Sequence, residues 1–164
     1  MTTKQISVER FSVTSSKPFG DVVKALEAGV GHPNLGKLMS DISAAKTYGD
    51  VEKSVGEVAG PTGLMEFVRF NLGEVLRKAN GEKAPRSMRF LIGNPLVMKR
   101  MVEHVPDAGS YAPVTVLVDE RPEGVRVSYD RMASFLASYG NAKALTVARE
   151  LDAKIEALLT AAAG

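Results

Sequence analysis

The segment Arg89-Phe-Leu-Ile-Gly-Asn-Pro-Leu-Val-Met-Lys-Arg-Met101 decides the fold of this chain, because it joins a buried strand to a helix. The apolar run before Gly93 predicts a strand over Ser87–Ile92. Pro95 is unsuited to the middle of a sheet but suits the first turn of a helix, and Asn94 is a preferred N-cap residue. The segment therefore predicts a strand, a tight turn and a helix in succession.

Stretches on both sides of this segment alternate apolar and polar residues, as strands do. Val114–Val118 and Val125–Tyr129 flank the turn-forming residues 121–124 and predict a β-hairpin. Leu64–Phe70 predicts a further strand. Residues 4–14 predict another, and a one-residue shift in its alternation indicates a bulge near Glu9-Arg10.

Apolar residues at helical spacing predict the remaining elements. The expected helices begin at Pro18, after Asn34, at a cap formed by Asp50, at Asn71, at Pro95, at a cap formed by Asp130, and after Asn141, the last being the longest. This order predicts one α+β domain over residues 1–164. In it, an antiparallel-type sheet has its helices segregated to one face, and a long C-terminal helix ends the chain.

Composition excludes several classes of protein. The 164 residues carry 21 basic and 19 acidic side chains, a balance that argues against nucleic acid as a partner. The absence of cysteine excludes disulfides and thiol catalysis. No apolar run approaches the roughly 20 residues that span a bilayer, and the first residues lack a signal-peptide pattern. We therefore expect a soluble cytoplasmic protein that does not enter a membrane.

Three motifs resemble those of a bacterial and archaeal family of unknown function. They are Leu91–Pro95, Tyr111–Glu120 and Gly124–Asp130, and the resemblance extends over most of residues 4–159. The resemblance implies an α+β sheet of the TATA-binding-protein type and a homodimer, and it implies no activity and no DNA binding. Many members have an Asp-His pair where this chain has Asn71-Leu72, so the resemblance supplies no acid–base pair here.

The Gly93-Asn94-Pro95 turn is the candidate binding site. Unpaired N–H groups and the dipole at a helix N-terminus favour a carboxylate or phosphate, and Gly93 permits close approach. Arg89 adds positive charge if it projects to the same end, and the Tyr129 hydroxyl is a further candidate. The sequence thus predicts a small anionic ligand near these five residues. In the alternative interpretation, the three turn residues serve only the turn and the helix cap.

Other functions remain open. The two histidines, His32 and His104, are far apart and lack companion ligands, so no metal site is predicted. The seven methionines fit a core, or an apolar cavity for a cofactor such as haem, which makes a cofactor-dependent enzyme the second hypothesis. A structural or interaction module without a ligand is the third. No serine-hydrolase motif is present, and the sequence assigns no catalytic residue.

Overall fold

The computed structural model describes residues 1–164 and contains five strands and seven α-helices. The strands are β1 (Arg10–Ser15), β2 (Met65–Asn71), β3 (Ser87–Gly93), β4 (Val114–Arg121) and β5 (Gly124–Asp130). The helices are α1 (Phe19–Ala28), α2 (Leu35–Ala44), α3 (Tyr48–Gly56), α4 (Leu72–Asn80), α5 (Pro95–Val102), α6 (Met132–Ala137) and α7 (Ala142–Ala163), with a short 3₁₀ helix at Pro106–Ser110. None of these helices has the length and apolar character needed to cross a membrane.

The strands form one antiparallel sheet in the order β1-β5-β4-β3-β2. The predicted hairpin is confirmed, with Val118 opposite Val127. The predicted central strand lies between the hairpin and β2, with Phe90 opposite Val116. This architecture confirms the predicted α+β class and long C-terminal helix, and it is compatible with a sheet of the TATA-binding-protein type.

Strand alternation separates a core face from an open face. Phe90, Val116 and Val127 are fully buried beneath α1, α5, α6 and α7. Residues of the other phase point away from these helices, and among them Arg89 and Thr115 are exposed. The sheet therefore buries one apolar face and leaves the other accessible.

Asparagine caps begin four of the helices. The side chains of Asn34, Asn71, Asn94 and Asn141 each accept a hydrogen bond from a backbone N–H in the first turn. These bonds satisfy donors that a helix start otherwise leaves unpaired. The local signals that predicted the starts of α4, α5 and α7 are thus confirmed.

Three local predictions were wrong. No strand or bulge occurs before Arg10. Strand β1 pairs only with β5, and residues 1–9 extend beyond the end of β5. The bulge lies instead in β2, between Glu66 and Val68. Thr47 caps α3, and Asp50 is the third helical residue in a reciprocal capping box with it. Asp130 does not cap α6, because it ends β5 and forms an ion pair across the sheet with Arg10.

Candidate functional site

Two pockets adjoin the predicted site residues, on opposite sides of the segment 112–114. The open-face pocket, of about 650 Å³, lies on the accessible face of the sheet and includes Arg89. The turn pocket, of about 280 Å³, includes Gly93, Asn94 and Pro95. The five predicted residues therefore do not form one site.

The open-face pocket has an apolar floor and an aromatic wall. Leu91 and Leu117 are half-buried and lie diagonally on the neighbouring strands β3 and β4, Leu91 opposite Thr115 and Leu117 opposite Arg89. The rings of Tyr111 and Phe135 stack at one end, with centroids 4.6 Å apart and planes 13° apart. Leu72, the first residue of α4, also lines the pocket. This arrangement suits a ligand with an apolar body.

Two arginines line this pocket, and they differ in their partners. Arg10 makes a two-pronged ion pair with Asp130, with nitrogen–oxygen distances of 2.6 and 2.9 Å. The hydrogen bond to Asp130 raises the pKa of Arg10, and the negative charge of Asp130 balances the positive charge of the guanidinium. Arg89 has no carboxylate partner; it donates to Thr115 Oγ1 at 3.3 Å and lies 5.9 Å from the centroid of the Phe70 ring. Arg89 therefore retains capacity for an anion.

The turn pocket is lined almost entirely by apolar side chains, and Asn94 is already engaged there. Its Oδ1 accepts from the Leu96 backbone N–H at 2.8 Å, while its Nδ2 donates to the carbonyl of Gly63 at 2.8 Å. A Cβ added at Gly93 would lie 3.2 Å from Pro113 Cβ, so close packing accounts for this glycine. These contacts agree with the alternative interpretation, in which Gly93, Asn94 and Pro95 serve only the turn and the helix cap.

Replacing Asn94 with alanine is expected to lower the free energy of unfolding by about 1–2 kcal/mol, because the helix cap and the bond to Gly63 are lost together. Urea unfolding measures this change. Asn34→Ala is the control, since the Asn34 side chain caps α2 through one hydrogen bond, from the Lys37 backbone N–H, and we expect a loss of about 1 kcal/mol. Equal losses in the two variants would show that the Gly63 bond contributes nothing.

Tyr129, on β5, is among the residues that line the open-face pocket, but its side chain lies in the core and is only 2% exposed. Its hydroxyl is 3.4 Å from the Asp152 carbonyl and from a carboxylate oxygen of Glu156, on the helix side of the sheet. Burial, reinforced by the charge of Asp152, raises the pKa of Tyr129, so the hydroxyl stays protonated at neutral pH. This geometry places the hydroxyl away from Arg89.

The sequence interpretation missed the residues that give the open-face pocket its shape. Tyr111 and Phe135 are 24 positions apart in the sequence, and their rings stack only in the folded chain. Arg10 was assigned to a strand, but its partner Asp130 was interpreted as a helix cap. The alternation of β1 and β5 carried a signal for this ion pair, since both residues fall on the open face once the strands are paired.

Neither histidine lines the open-face or the turn pocket. His32 contacts the Glu27 carbonyl, and His104 lies beside Glu103 at the end of α5. No group of three or more potential metal-binding side chains occurs in the structure. A haem in either pocket would therefore have no axial histidine from this chain.

Comparison with known proteins supports one family. The model of the family described as domain of unknown function DUF302 matches residues 39–162. A crystal structure described as an uncharacterized conserved protein DUF302 from Bacillus stearothermophilus superimposes with a TM-score of 0.64 and 12% sequence identity, covering 93% of this chain and 97% of that one. At this identity, the likeness shows the fold alone. Comparison with curated proteins gives no match.

The family match spans most of the chain, including the predicted Gly-Asn-Pro and hairpin motifs, and the structural likeness is consistent with it. The sequence-based assignment to a family of unknown function is therefore confirmed, and this chain belongs to the family described as domain of unknown function DUF302.

Proposed function

We propose that residues 1–164 form a single cytoplasmic α+β domain that acts as a homodimer and binds a small anionic molecule in the open-face pocket. The observation that carries this proposal is the Arg89 guanidinium, which lines the pocket without a carboxylate partner. The neighbouring Arg10 is neutralised by Asp130, so Arg89 is the pocket arginine with charge available.

The surroundings of Arg89 favour a ligand with both an anionic and an apolar part. Leu91 and Leu117 form the apolar floor beside the guanidinium. An apolar surface lowers the local dielectric constant and strengthens a charge interaction. The planar guanidinium binds a carboxylate or phosphate through two parallel hydrogen bonds.

Binding of the anionic molecule at the Gly93–Pro95 turn has weaker support. That pocket is apolar and contains no basic side chain, and the Asn94 side chain is occupied at both ends. The helix dipole of α5 is the remaining attraction for an anion there. We therefore assign the anion to Arg89 and leave catalytic residues unassigned.

Arg89→Gln is expected to weaken binding of an anionic ligand by about tenfold to a hundredfold, because a charged hydrogen-bonded pair contributes about 1.5–3 kcal/mol. Native mass spectrometry of freshly purified protein detects a co-purifying ligand as added mass that is lost on denaturation. Titration calorimetry with 2-naphthoate, an aromatic carboxylate, measures affinity with a defined probe.

Arg126→Gln is the matched control for this experiment. Arg126 lies on the same face of the sheet, and it donates to Ser12 Oγ without an ion pair. It does not line the open-face pocket, so its loss is expected to leave the affinity unchanged. Equal affinities of the Arg89→Gln and wild-type proteins for 2-naphthoate would contradict the proposed site.

A further inference from the structure

Helix α4 presents its apolar stripe to solvent. Leu72, Val75 and Leu76 are 40%, 70% and 38% exposed. The helix contacts the sheet through Gly73 instead, where an added Cβ would lie 2.8 Å from the backbone nitrogen of Ser87. Amphipathic helices of globular proteins normally bury the apolar stripe against the core. The orientation of α4 is instead that of a helix whose apolar side packs against another molecule.

The exposed stripe continues onto β2. Val68 and Phe70 are 36% and 45% exposed, and with Leu72, Val75 and Leu76 they define the β2–α4 surface. Five of the nine large hydrophobic residues exposed in the structure fall within this segment of nine residues. Scattered exposed apolar residues are normal, but such a cluster marks an interaction site.

The charges beside the stripe match those of a second copy of this chain. Glu74 and Lys78 lie one helical turn apart on α4, 3.9 Å from each other, with side chains 51% and 82% exposed, and Glu74 also pairs with Arg77 at 2.6 Å. When two α4 helices pack antiparallel about a two-fold axis, Glu74 of each copy approaches Lys78 of the other. Such an interface is self-complementary, as two-fold symmetry requires.

We infer that the β2–α4 surface is the contact through which two copies associate, and that the second copy closes the rim of the open-face pocket. The surface and the pocket are continuous, because Leu72 belongs to both and Phe70 lies directly opposite Arg89 in the β2–β3 ladder. The second copy then excludes water from the neighbourhood of Arg89, which strengthens its hold on an anion. This second part rests on the proposed anion site.

The first test measures the mass of the protein in solution by size-exclusion chromatography with light scattering. The wild-type protein is expected at twice 17.5 kDa, and Val75→Glu is expected at 17.5 kDa. Glutamate favours helix more than valine does, so α4 is retained, which circular dichroism verifies. Val8→Glu is the matched control, since Val8 is 44% exposed, lies outside the surface and lines neither the open-face pocket nor the turn pocket; this variant stays dimeric.

A charge exchange tests the two-fold geometry. Glu74→Lys and Lys78→Glu are each expected to weaken the dimer, because like charges then face each other across the interface. An equimolar mixture of the two variants is expected to dimerise, because opposite charges then meet between copies while the altered pair within each helix stays unfavourable. A wild-type protein that remains monomeric at high concentration, or a Val75→Glu variant that remains dimeric, overturns the assignment of this surface. Dimerisation of the mixture supports the antiparallel arrangement, and failure of the mixture to dimerise overturns it.

The link to the pocket is tested by titrating 2-naphthoate into the wild-type, Val75→Glu and Val8→Glu proteins. We expect Val75→Glu to bind about tenfold more weakly, within the usual range for coupled sites, and Val8→Glu to bind normally. Equal affinity in the monomeric variant overturns the link but leaves the anion site standing. Absence of binding to the wild-type protein overturns the anion site and the link together, while the mass measurement still decides the interface.

Discussion

Replacing Gly60 with alanine is expected to lower the free energy of unfolding by about 3 kcal/mol, at the upper end of the usual cost of overpacking. An added Cβ would lie 2.3 Å from the backbone nitrogen of Gly31 and 2.3 Å from the carbonyl carbon of Val30. Both obstacles are backbone atoms, which cannot rotate away as a flexible side chain would. The two segments must therefore separate to accommodate one methyl group.

The contact between Gly31 and Gly60 also organises the start of β2. The backbone N–H groups of both glycines donate to the Leu64 carbonyl at 2.9 Å, and the Glu66 N–H donates to the Gly31 carbonyl at 2.8 Å. Separation of the two glycines breaks these bonds as well. Because β2 carries Val68 and Phe70, we expect Gly60→Ala to disturb the β2–α4 surface.

Urea unfolding followed by circular dichroism measures the effect of Gly60→Ala. Gly56→Ala is the matched control, because Gly56 ends α3 and an added Cβ there meets no atom within 4 Å. Alanine favours helix over glycine, so this control is expected to raise the free energy of unfolding by up to about 1 kcal/mol. Equal stabilities of Gly60→Ala and the wild-type protein would contradict the close backbone contact.

Replacing Asp152 with alanine is expected to lower the free energy of unfolding by about 3 kcal/mol. Its carboxylate accepts from the backbone N–H groups of Met132 at 2.7 Å and Ala133 at 3.0 Å. Helix α6 has no side-chain cap of its own at Arg131, so this carboxylate from α7 supplies the cap. Alanine would leave both donors unpaired beside the core.

Asp152→Asn separates the hydrogen bonds from the charge. The amide keeps one accepting oxygen, so we expect a loss of about 1–2 kcal/mol, smaller than that of the alanine variant. Helix α6 carries Phe135, whose ring stacks on Tyr111 in the pocket wall. Asp152→Ala is therefore expected to weaken 2-naphthoate binding more than Asp152→Asn does. Equal stabilities of the two variants would show that the remaining amide oxygen does not cap α6.

The ionisation of Asp152 makes the stability difference between wild-type protein and Asp152→Asn depend on pH. Burial raises the pKa of Asp152 above its ordinary value of 3.8, against the opposing effect of the two backbone donors. The folded protein then binds this proton more tightly than the unfolded chain does. The stabilisation from this bound proton is fully present below pH 3.8, and it is lost as the pH rises through the pKa of Asp152 in the folded protein. Asparagine does not ionise, so wild-type protein should exceed Asp152→Asn in stability by more at acidic than at neutral pH.

Local signals determined much of the fold. Asn71, Asn94 and Asn141 each begin a helix, because a short side chain can reach its own first turn whatever the rest of the chain does. The alternation in β4 and β5 likewise identified a hairpin, since side chains of a strand point to opposite faces in turn. The α+β class followed from the order of these elements.

Contacts between distant segments were decided by the tertiary structure alone. Asp152 caps a helix 20 residues before it in the sequence, and Arg10 finds Asp130 only when β1 pairs with β5. The predicted site residues are separated for the same reason. Arg89 of β3 lines the open-face pocket, whereas the turn that follows β3 lines the turn pocket.

The sequence by itself determined the asparagine caps, the hairpin, the fold class and the family, because each depends on neighbours along the chain or on the order of elements. The sequence did not reveal the exposed apolar surface of α4, because an apolar stripe has the same spacing whether it faces a core or solvent. Only the tertiary structure showed that Gly73 faces the sheet and Val75 faces outward. Burial is a property of what surrounds a side chain, and those surroundings come from segments that are remote in the sequence.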